Sequence, residues 1–407
     1  MFTLIFVTAL FIVFIQFYRV RSVSFIFILL LLLSAIGSIL IGKTPCFVSP
    51  IDVINIIYVI TVICLLGSGF AKYSSISSVV VGNPNKFRFF SNVIIWSSIF
   101  SIIVNCIALY FVLMVVEDFG QFKQGGESTS DFYYTQVPIP HSFISLSSII
   151  SAFSYFALPL HFYYLMIGDK KKALLSLFAS TALIFSGLLY FSRSSIIHFV
   201  LLYISFLLLF YKSFSLKMKK LLKKSILFFA GGVFFIFASI SINRFDDKYS
   251  FYMSKDSLIQ NELLYSLFDY GCMWFNDGFF LMRGYGFEPL GGILSNTLYN
   301  WLFGGVDTTL IRQTIWPEDL WATFNGLFCI WLFDFGYLGT LILSLIICII
   351  SKRMQPVKGK ISIISLYSFP LLFSLPLMSF SGNYLEVLSF HFAVVFLFLY
   401  KLFLIKK

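Results

Sequence analysis

Apolar runs of roughly 17 to 25 residues, the length that crosses a bilayer as a helix, follow one another along this 407-residue chain with short loops between them. They stop only once. Between Arg244 and Ala322 no segment is apolar enough for long enough to span. That interruption carries more than half of the 18 acidic residues, among them Asp246, Asp247, Asp256, Glu262, Asp269, Asp277 and Glu288. It also carries Arg244, Arg283 and Arg312, and Trp274, Trp301, Trp316 and Trp321 of the six tryptophans. A chain that otherwise belongs in lipid has gathered its polar chemistry in one loop, and that loop is where the chemistry is expected.

The runs are continuous rather than alternating, which excludes a β-barrel. Inside lipid the remaining solution is the helix, which satisfies its own backbone hydrogen bonds. Charged residues make up 12% of the chain, against about 25% for a soluble domain. The expected fold is therefore an all-α polytopic membrane protein of about 11 transmembrane helices. They are placed at about 2–18, 23–42, 51–71, 90–115, 142–166, 173–191, 195–213, 225–243, 324–350, 361–380 and 386–404. The first run lacks a basic start and a small-residue cleavage site, so it reads as a retained span. Residues 1–407 form a single transmembrane domain in this reading, with a large external loop at 244–322 and a second at 117–140.

The formal net charge of +11 is not a nucleic-acid signal, because the basic residues are sorted by side. Alternate loops hold Arg19 and Arg21; Lys72, Lys86 and Arg88; Lys170 to Lys172; Lys212 to Lys224; Lys352 to Lys360; and Lys401 to Lys407. The positive-inside rule makes these loops cytoplasmic. The N-terminus is then outside, the C-terminus inside and the long loop outside. Cys64, Cys106, Cys329 and Cys348 fall within spans, where thiols act as small apolar groups. Cys46 and Cys272 are the one pair on the outer side that could bridge. No internal repeat is present, which argues against an inverted-repeat transporter.

The long loop has structure of its own. Leu258, Ile259, Leu263, Leu264, Leu267 and Phe268 share one helical face, with Asp256 and Ser257 placed to cap it. Leu290, Ile293, Leu294, Leu298, Trp301 and Leu302 make a second stripe, ended by Gly304–Gly305. Both suit short helices at the membrane interface. The second loop reads as a solvated connector, or as a lid that presents Tyr133 and Tyr134.

Three places carry candidate chemistry. Arg193, Arg244, Arg283 and Arg312 lie where the positive-inside rule disfavours them, and guanidinium forks match phosphate oxygens. RGYGFE, Arg283 to Glu288, offers a tight turn and a carboxylate. Glu288 suits a general base for a sugar hydroxyl or, equally, an ion-pair partner for Arg283, and Asp277 is the second candidate base. In TFNGLFCIWLFDFGYLG, Asp334 sits inside an apolar helix, where it is either functional or a lock between helices. Gly336 and Gly339 there allow close helix contact, and Asn325 lies nearer the outer surface. Tyr270, Trp274 and Tyr285, with Asn325, are the sugar-binding candidates. The histidines are scattered, no metal site is expected, and no P-loop or Ser-His-Asp arrangement is present.

SRSSIIHFVLLYISFLLL opening a span, GYGFEPL in a large late external loop and TFNGLFCIWLFDFGYLG opening the next span together resemble the Wzy-type O-antigen or capsule polymerases, the oligosaccharide repeat-unit polymerases. The layout fits over the whole chain and the residues over these pieces. Some members carry an arginine followed eleven positions later by glycine; here those positions are Lys255 and Leu294, so that pattern is absent. The resemblance implies a GT-C-like membrane glycosyltransferase that joins polyprenyl-diphosphate-linked oligosaccharides at the outer face of the bacterial cytoplasmic membrane. It would need no cofactor and would work with membrane lipid and a chain-length regulator protein. Diphosphate contacts fall on Arg193 and Arg283, then Arg244 and Arg312, and Arg283, Glu288 and Asp277 are the catalytic candidates. An O-antigen ligase shares donor and topology but is expected to carry a histidine in the large loop, which Arg244 to Ala322 lacks. A flippase or transporter would need a polar pathway through the bundle.

Overall fold

The structure is a computed structural model that describes residues 2–43, 49–115, 137–189, 192, 194–216, 218–220, 222, 254, 256–304, 308–317 and 325–405. About 77% of what it describes is helical, so the chain is all-α with helices of the membrane-spanning kind. Six helical stretches are long and apolar enough to cross a bilayer: Pro50–Gly69, Pro84–Met114, His141–Ile167, Lys170–Leu188, Ser194–Ser213 and Gly326–Arg353. Shorter apolar helices at Thr3–Arg19, Ser24–Leu40, Ile363–Leu377 and Leu388–Phe403 fall on four further expected spans. The expected span at 225–243 lies outside the described residues, as do Tyr133 and Tyr134 of the second external loop.

The chain divides into two compact units. The first comprises Met1–Ser74, Ala238–Gln355 and Leu372–Val387. It contains α1 (Phe2–Arg19), α2 (Ser24–Leu40) and α3 (Pro50–Gly69). Serine hydroxyls stitch these together. At the end of α3, where carbonyls lose their helical partners, Ser24 donates to Gly67 O at 2.7 Å and Ser22 to Phe70 O at 2.6 Å. A side chain at Gly67 would meet the Phe17 ring at 2.9 Å, and one at Gly69 the Cys348 backbone at 3.1 Å. Small residues thus bring neighbouring helices to backbone contact, the packing that works where lipid removes the hydrophobic drive.

The second unit comprises Ser75–Phe237, Pro356–Leu371 and Leu388–Lys407. Its first helix, α4 (Pro84–Val115), starts before the expected span because Pro84 opens it and Asn83 accepts from Lys86 N at 3.1 Å. The next span is α5 (His141–Ile150) and α6 (Ser154–Ile167) joined by a 3-10 turn. A buried ladder ties α4 to α5: Ser147 donates to Asn105, Asn105 to Ser101 and Ser101 to Ser147 O. Then follow α7 (Lys170–Ala179), α8 (Ala182–Leu188) and α9 (Ser194–Phe210). Strands β1 (Ser78–Val80) and β2 (Lys360–Ser362) pair in parallel, joining two loops that the charge pattern assigns to one side of the membrane.

The long polar stretch departs most from expectation. Its first helix, α10 (Glu262–Arg283), begins later and runs for 22 residues. Asn261 caps it, accepting from Leu264 N at 3.0 Å, whereas Asp256 and Ser257 lie upstream of the helix. It lies across α2, α3 and α13 (Gly326–Arg353) at one end of each, touching Ser34 to Ile41, Asp52 and Asn325 to Cys329. The second stripe is a turn over 291–295 followed by the short α11 (Thr297–Phe303), which ends at Gly304 as expected. Next come α12 (Thr308–Ile315), α14 (Ile363–Leu377) and α15 (Leu388–Ile405). Cys272 is a free thiol that donates to Ser34 O; Cys46 lies outside the described residues.

α13 is two helices joined at a kink. Gly336 breaks it, with φ 67° and ψ 178°, a region open essentially to glycine alone. Its role is thus to interrupt the helix; the expected close packing of helices is not what requires it. Before the break every residue from Gly326 to Asp334 is buried, and beyond it Leu338, Ile342 and Ile346 are exposed. An added Cβ at Gly336 would also meet the Tyr285 hydroxyl at 2.9 Å. Gly336→Ala should therefore destabilise the protein by about 1–3 kcal/mol. The check is the melting temperature of detergent-purified protein, and an unchanged value would remove the strain argument.

Candidate active site

The break frees backbone carbonyls that in lipid must find other partners. The turn after Arg283 provides them: Leu290 N donates to Phe333 O at 2.9 Å and Gly292 N to Asp334 O at 3.1 Å. Thr340 donates its hydroxyl to Trp331 O at 2.9 Å. The Asp334 side chain, fully buried, accepts from Leu294 N at 2.9 Å and from the Ser295 hydroxyl. Ser295 in turn accepts from Asn383 Nδ2 at 2.7 Å, and Asn383 Oδ1 accepts from Trp331 Nε1 at 3.1 Å. Asp334 is thus a lock, and what it holds is a turn seated on the helix break.

Two arginine–carboxylate pairs flank this lock. In the first, Arg283 at the end of α10 grips Asp52 bidentately, Nε to Oδ1 at 2.5 Å and Nη2 to Oδ2 at 2.9 Å. Asp52 is 1% exposed and reaches back to Ser49 N at 3.1 Å and the Ser49 hydroxyl at 3.0 Å, fixing the first turn of α3. The partner of Arg283 is therefore Asp52 rather than Glu288. In the second pair, Arg312 Nη2 meets Glu386 Oε2 at 2.6 Å, and its guanidinium lies 5.6 Å from the centre of the Trp316 ring. Thr297 donates to Glu386 O at 2.8 Å. Phe333 stands between the two pairs, packed edge-on against Tyr285 at 5.5 Å and Trp316 at 5.7 Å.

The remaining candidates sort by burial. Glu288 is exposed, next to Phe287, whose φ of 64° is a conformation that bulky residues rarely adopt. Asp277 and Tyr270 are half-buried on α10, where Asp277 adds to the field at Lys43, itself paired to Asp269 at 2.8 Å. Trp274 is 1% exposed, donates to the Ser34 hydroxyl at 2.6 Å and packs on Phe6, Phe275 and Phe328. It occupies a core position with no face left for a sugar. Tyr285 is buried over the helix break, and Asn325 is buried at the start of α13. Arg193 and Arg244 lie outside the described residues.

Glu386 escaped the sequence reading because it stood at the first position of an expected span. The structure puts it in the turn before α15 instead. Burial pushes its carboxyl up to about 7 from an ordinary 4.5; Arg312 pulls it down and Asp334 adds to the rise. The available signal was the carboxylate that ends NYLE, at a span boundary on the side that the charge pattern makes external.

No protein-family model matches the chain, and no curated protein and no solved structure matches it.

Two outcomes follow from these geometries. Arg283→Ala leaves the Asp52 carboxylate buried without its guanidinium and should cost about 3–5 kcal/mol. Adding Asp52→Asn should recover most of that, and melting temperatures of the two single variants and the double variant measure the coupling. For Glu386, a carboxyl raised on folding favours the folded state while protonated. That contribution is complete below about pH 4.5 and is lost as the pH rises to about 7. Glu386→Gln should flatten that part of the melting-temperature profile; an unaltered profile would rule out titration of Glu386 there.

Proposed function

We propose that the chain is a membrane glycosyltransferase that polymerises polyprenyl-diphosphate-linked oligosaccharide repeat units. In this reading it is a GT-C-like protein of eleven spans in the bacterial cytoplasmic membrane, with its N-terminus outside, its C-terminus in the cytoplasm and its site at the outer face. The growing glycan leaves its lipid diphosphate and is transferred to the non-reducing end of a new lipid-linked unit.

One observation carries the proposal beyond the sequence resemblance. Segments that the charge pattern assigns to the outer side, 49–52, 283–295, 312–316 and 383–386, converge in the first unit around two arginine–carboxylate pairs and a fixed turn. A diphosphate leaving group needs positive charge held where negative charge develops. Arg283 and Arg312 are side chains of that kind, pre-oriented by Asp52 and Glu386 and partly exposed, at 31% and 23%. The sequence resemblance also assigns diphosphate contacts to Arg193 and Arg244, which lie outside the described residues. An activated sugar donor requires no nucleotide site and no cofactor, and an arginine cluster serves the leaving group without a metal.

A discontinuous helix is also a feature of transporters, where the freed backbone lines the substrate cavity. Here the carbonyls at the break accept from Leu290, Gly292 and Thr340, so the interruption is filled by the protein's own turn. That favours a rigid site over a pathway.

Deleting the gene in its native host and resolving surface and lipid-linked glycans on a gel tests the reading. Single repeat units capped onto the acceptor are the expected result. Long polymer stranded on the carrier lipid would identify a ligase, and repeat units confined to the cytoplasmic face would identify a flippase; either would overturn the proposal.

A further inference from the structure

The Arg312–Glu386 pair is built for more than charge balance. Glu386 gives one oxygen, Oε2, to Arg312. Its other oxygen, Oε1, is buried and has no hydrogen-bond partner among the described residues. Arg312 Nε and Trp316 Nε1 are likewise buried donors without an acceptor among the described residues. Buried polar atoms are nearly always hydrogen-bonded, because leaving one unsatisfied forfeits its hydration with nothing in return. Three of them gathered around one guanidinium need an explanation, and a ligand that supplies both a donor and acceptors provides it.

The chemistry narrows the ligand. Oε1 requires an O–H or N–H; the two N–H groups require oxygen. A polyol offers both within a few ångströms. Trp316, 3% exposed and held by Phe333 and the Arg312 guanidinium, offers no ring face and brings only its Nε1–H, which, unlike that of Trp274, has no acceptor among the described residues. The carboxylate is likewise held in place, since Arg312 grips it from α12 and Thr297 of α11 donates to the Glu386 carbonyl.

We infer that Glu386 and Trp316, organised by Arg312, form the acceptor-sugar site, with Glu386 Oε1 taking the proton of the attacking hydroxyl. This rests on the glycosyltransferase reading given above. In the step, the acceptor oxygen forms a bond to the anomeric carbon of the donor sugar. The bond from that carbon to the diphosphate oxygen breaks, and the diphosphate leaves with the electron pair. The hydroxyl proton passes to Glu386, so one bond forms and one breaks at carbon and the proton is accounted for. Among the described residues Glu386 displaces Glu288, which is exposed, and Asp277 as the base, because it combines a held carboxylate with an unfilled buried acceptor.

The electrostatics agree with that role. Burial, opposed by Arg312 and reinforced by Asp334 from α13, holds the carboxyl near the working pH, where a base is most effective. Those are the charged groups that act on it among the described residues.

The test uses membranes from the deletion strain, complemented with the wild-type chain, Glu386→Gln, Glu386→Asp or Trp316→Phe and supplied with the host's own lipid-linked repeat units. Chain lengthening is timed against pH, and the amount of each protein in the membrane is measured alongside. Wild-type rates should rise through about pH 7 as Glu386 loses its proton. Glu386→Gln should lower the rate by about 10²–10⁴-fold and abolish that rise. Glu386→Asp, which keeps a carboxylate, should restore part of the rate with a shifted rise. Trp316→Phe should raise the repeat-unit concentration needed for half-maximal rate while leaving the maximal rate nearly intact.

Glu386→Gln membranes that match wild type overturn the inference and leave the polymerase reading standing. So does a slowed variant that keeps the pH rise, since the titrating base is then another group. If Glu386→Gln fails to accumulate, an unshifted rise in Glu386→Asp decides against the inference in the same way. Wild-type membranes that lengthen no polymer bring down the polymerase reading and this assignment with it.

Discussion

The first unit depends on how one interrupted helix satisfies its backbone. A transmembrane helix closes its own hydrogen bonds, and breaking it inside an apolar environment exposes carbonyls at a cost of several kcal/mol each. At Gly336 that cost is offset by importing a second piece of chain. The turn after Arg283 delivers the N–H groups of Leu290 and Gly292 to the freed carbonyls, and Asp334 receives Leu294 N and Ser295. The break and the turn define each other: without the turn the helix would close, and without the break the turn would have nothing to bind. Arg283, Tyr285 and the residues that follow are positioned as a result.

Around that anchor, charge is placed by pairing. Asp52 is buried and Arg283 spans the boundary between it and the surface, so the pair is asymmetric in exposure. Arg312 and Glu386 are each about a quarter exposed, yet Glu386 keeps one oxygen buried and unused. The first arrangement resembles a structural clamp with an exposed edge, and the second a clamp with one jaw open. Four separate segments of sequence therefore meet to make one filled pair and one that keeps a buried oxygen free of a partner among the described residues.

How much of this was legible in the sequence depends on the physics behind each element. Long apolar runs report on lipid, a property of composition, so most helices fell where expected. The interruption between Arg244 and Ala322 was equally plain. Its internal structure was not, because α10 packs against several helices and mixes buried and polar faces: Trp274 read as a sugar-binding candidate and is core. Gly336 read as a packing residue, since a break cannot be told from a close contact without knowing where the carbonyls go. Arg283 was identified as important, while its partner was left open with Glu288 as one reading, and Asp52 was not considered. Asp52 lies 231 positions away, and nothing local announces a pairing at that separation. Glu386 was missed because an apolar-run boundary absorbed it.

That separation has a consequence in time. Chains are made at about 5–20 residues per second, with N-terminal parts first. The first unit is assembled from Met1–Ser74 together with segments that begin at Ala238. Asp52 thus emerges roughly 10 to 50 seconds ahead of Arg283 on that scale. Throughout that interval its carboxylate sits at the head of α3, beside Ser49 and without the Arg283 guanidinium. The earliest helices can join one another through Ser22 and Ser24, but they must wait for α10 and α13, so the last third of the protein finishes the work of the first.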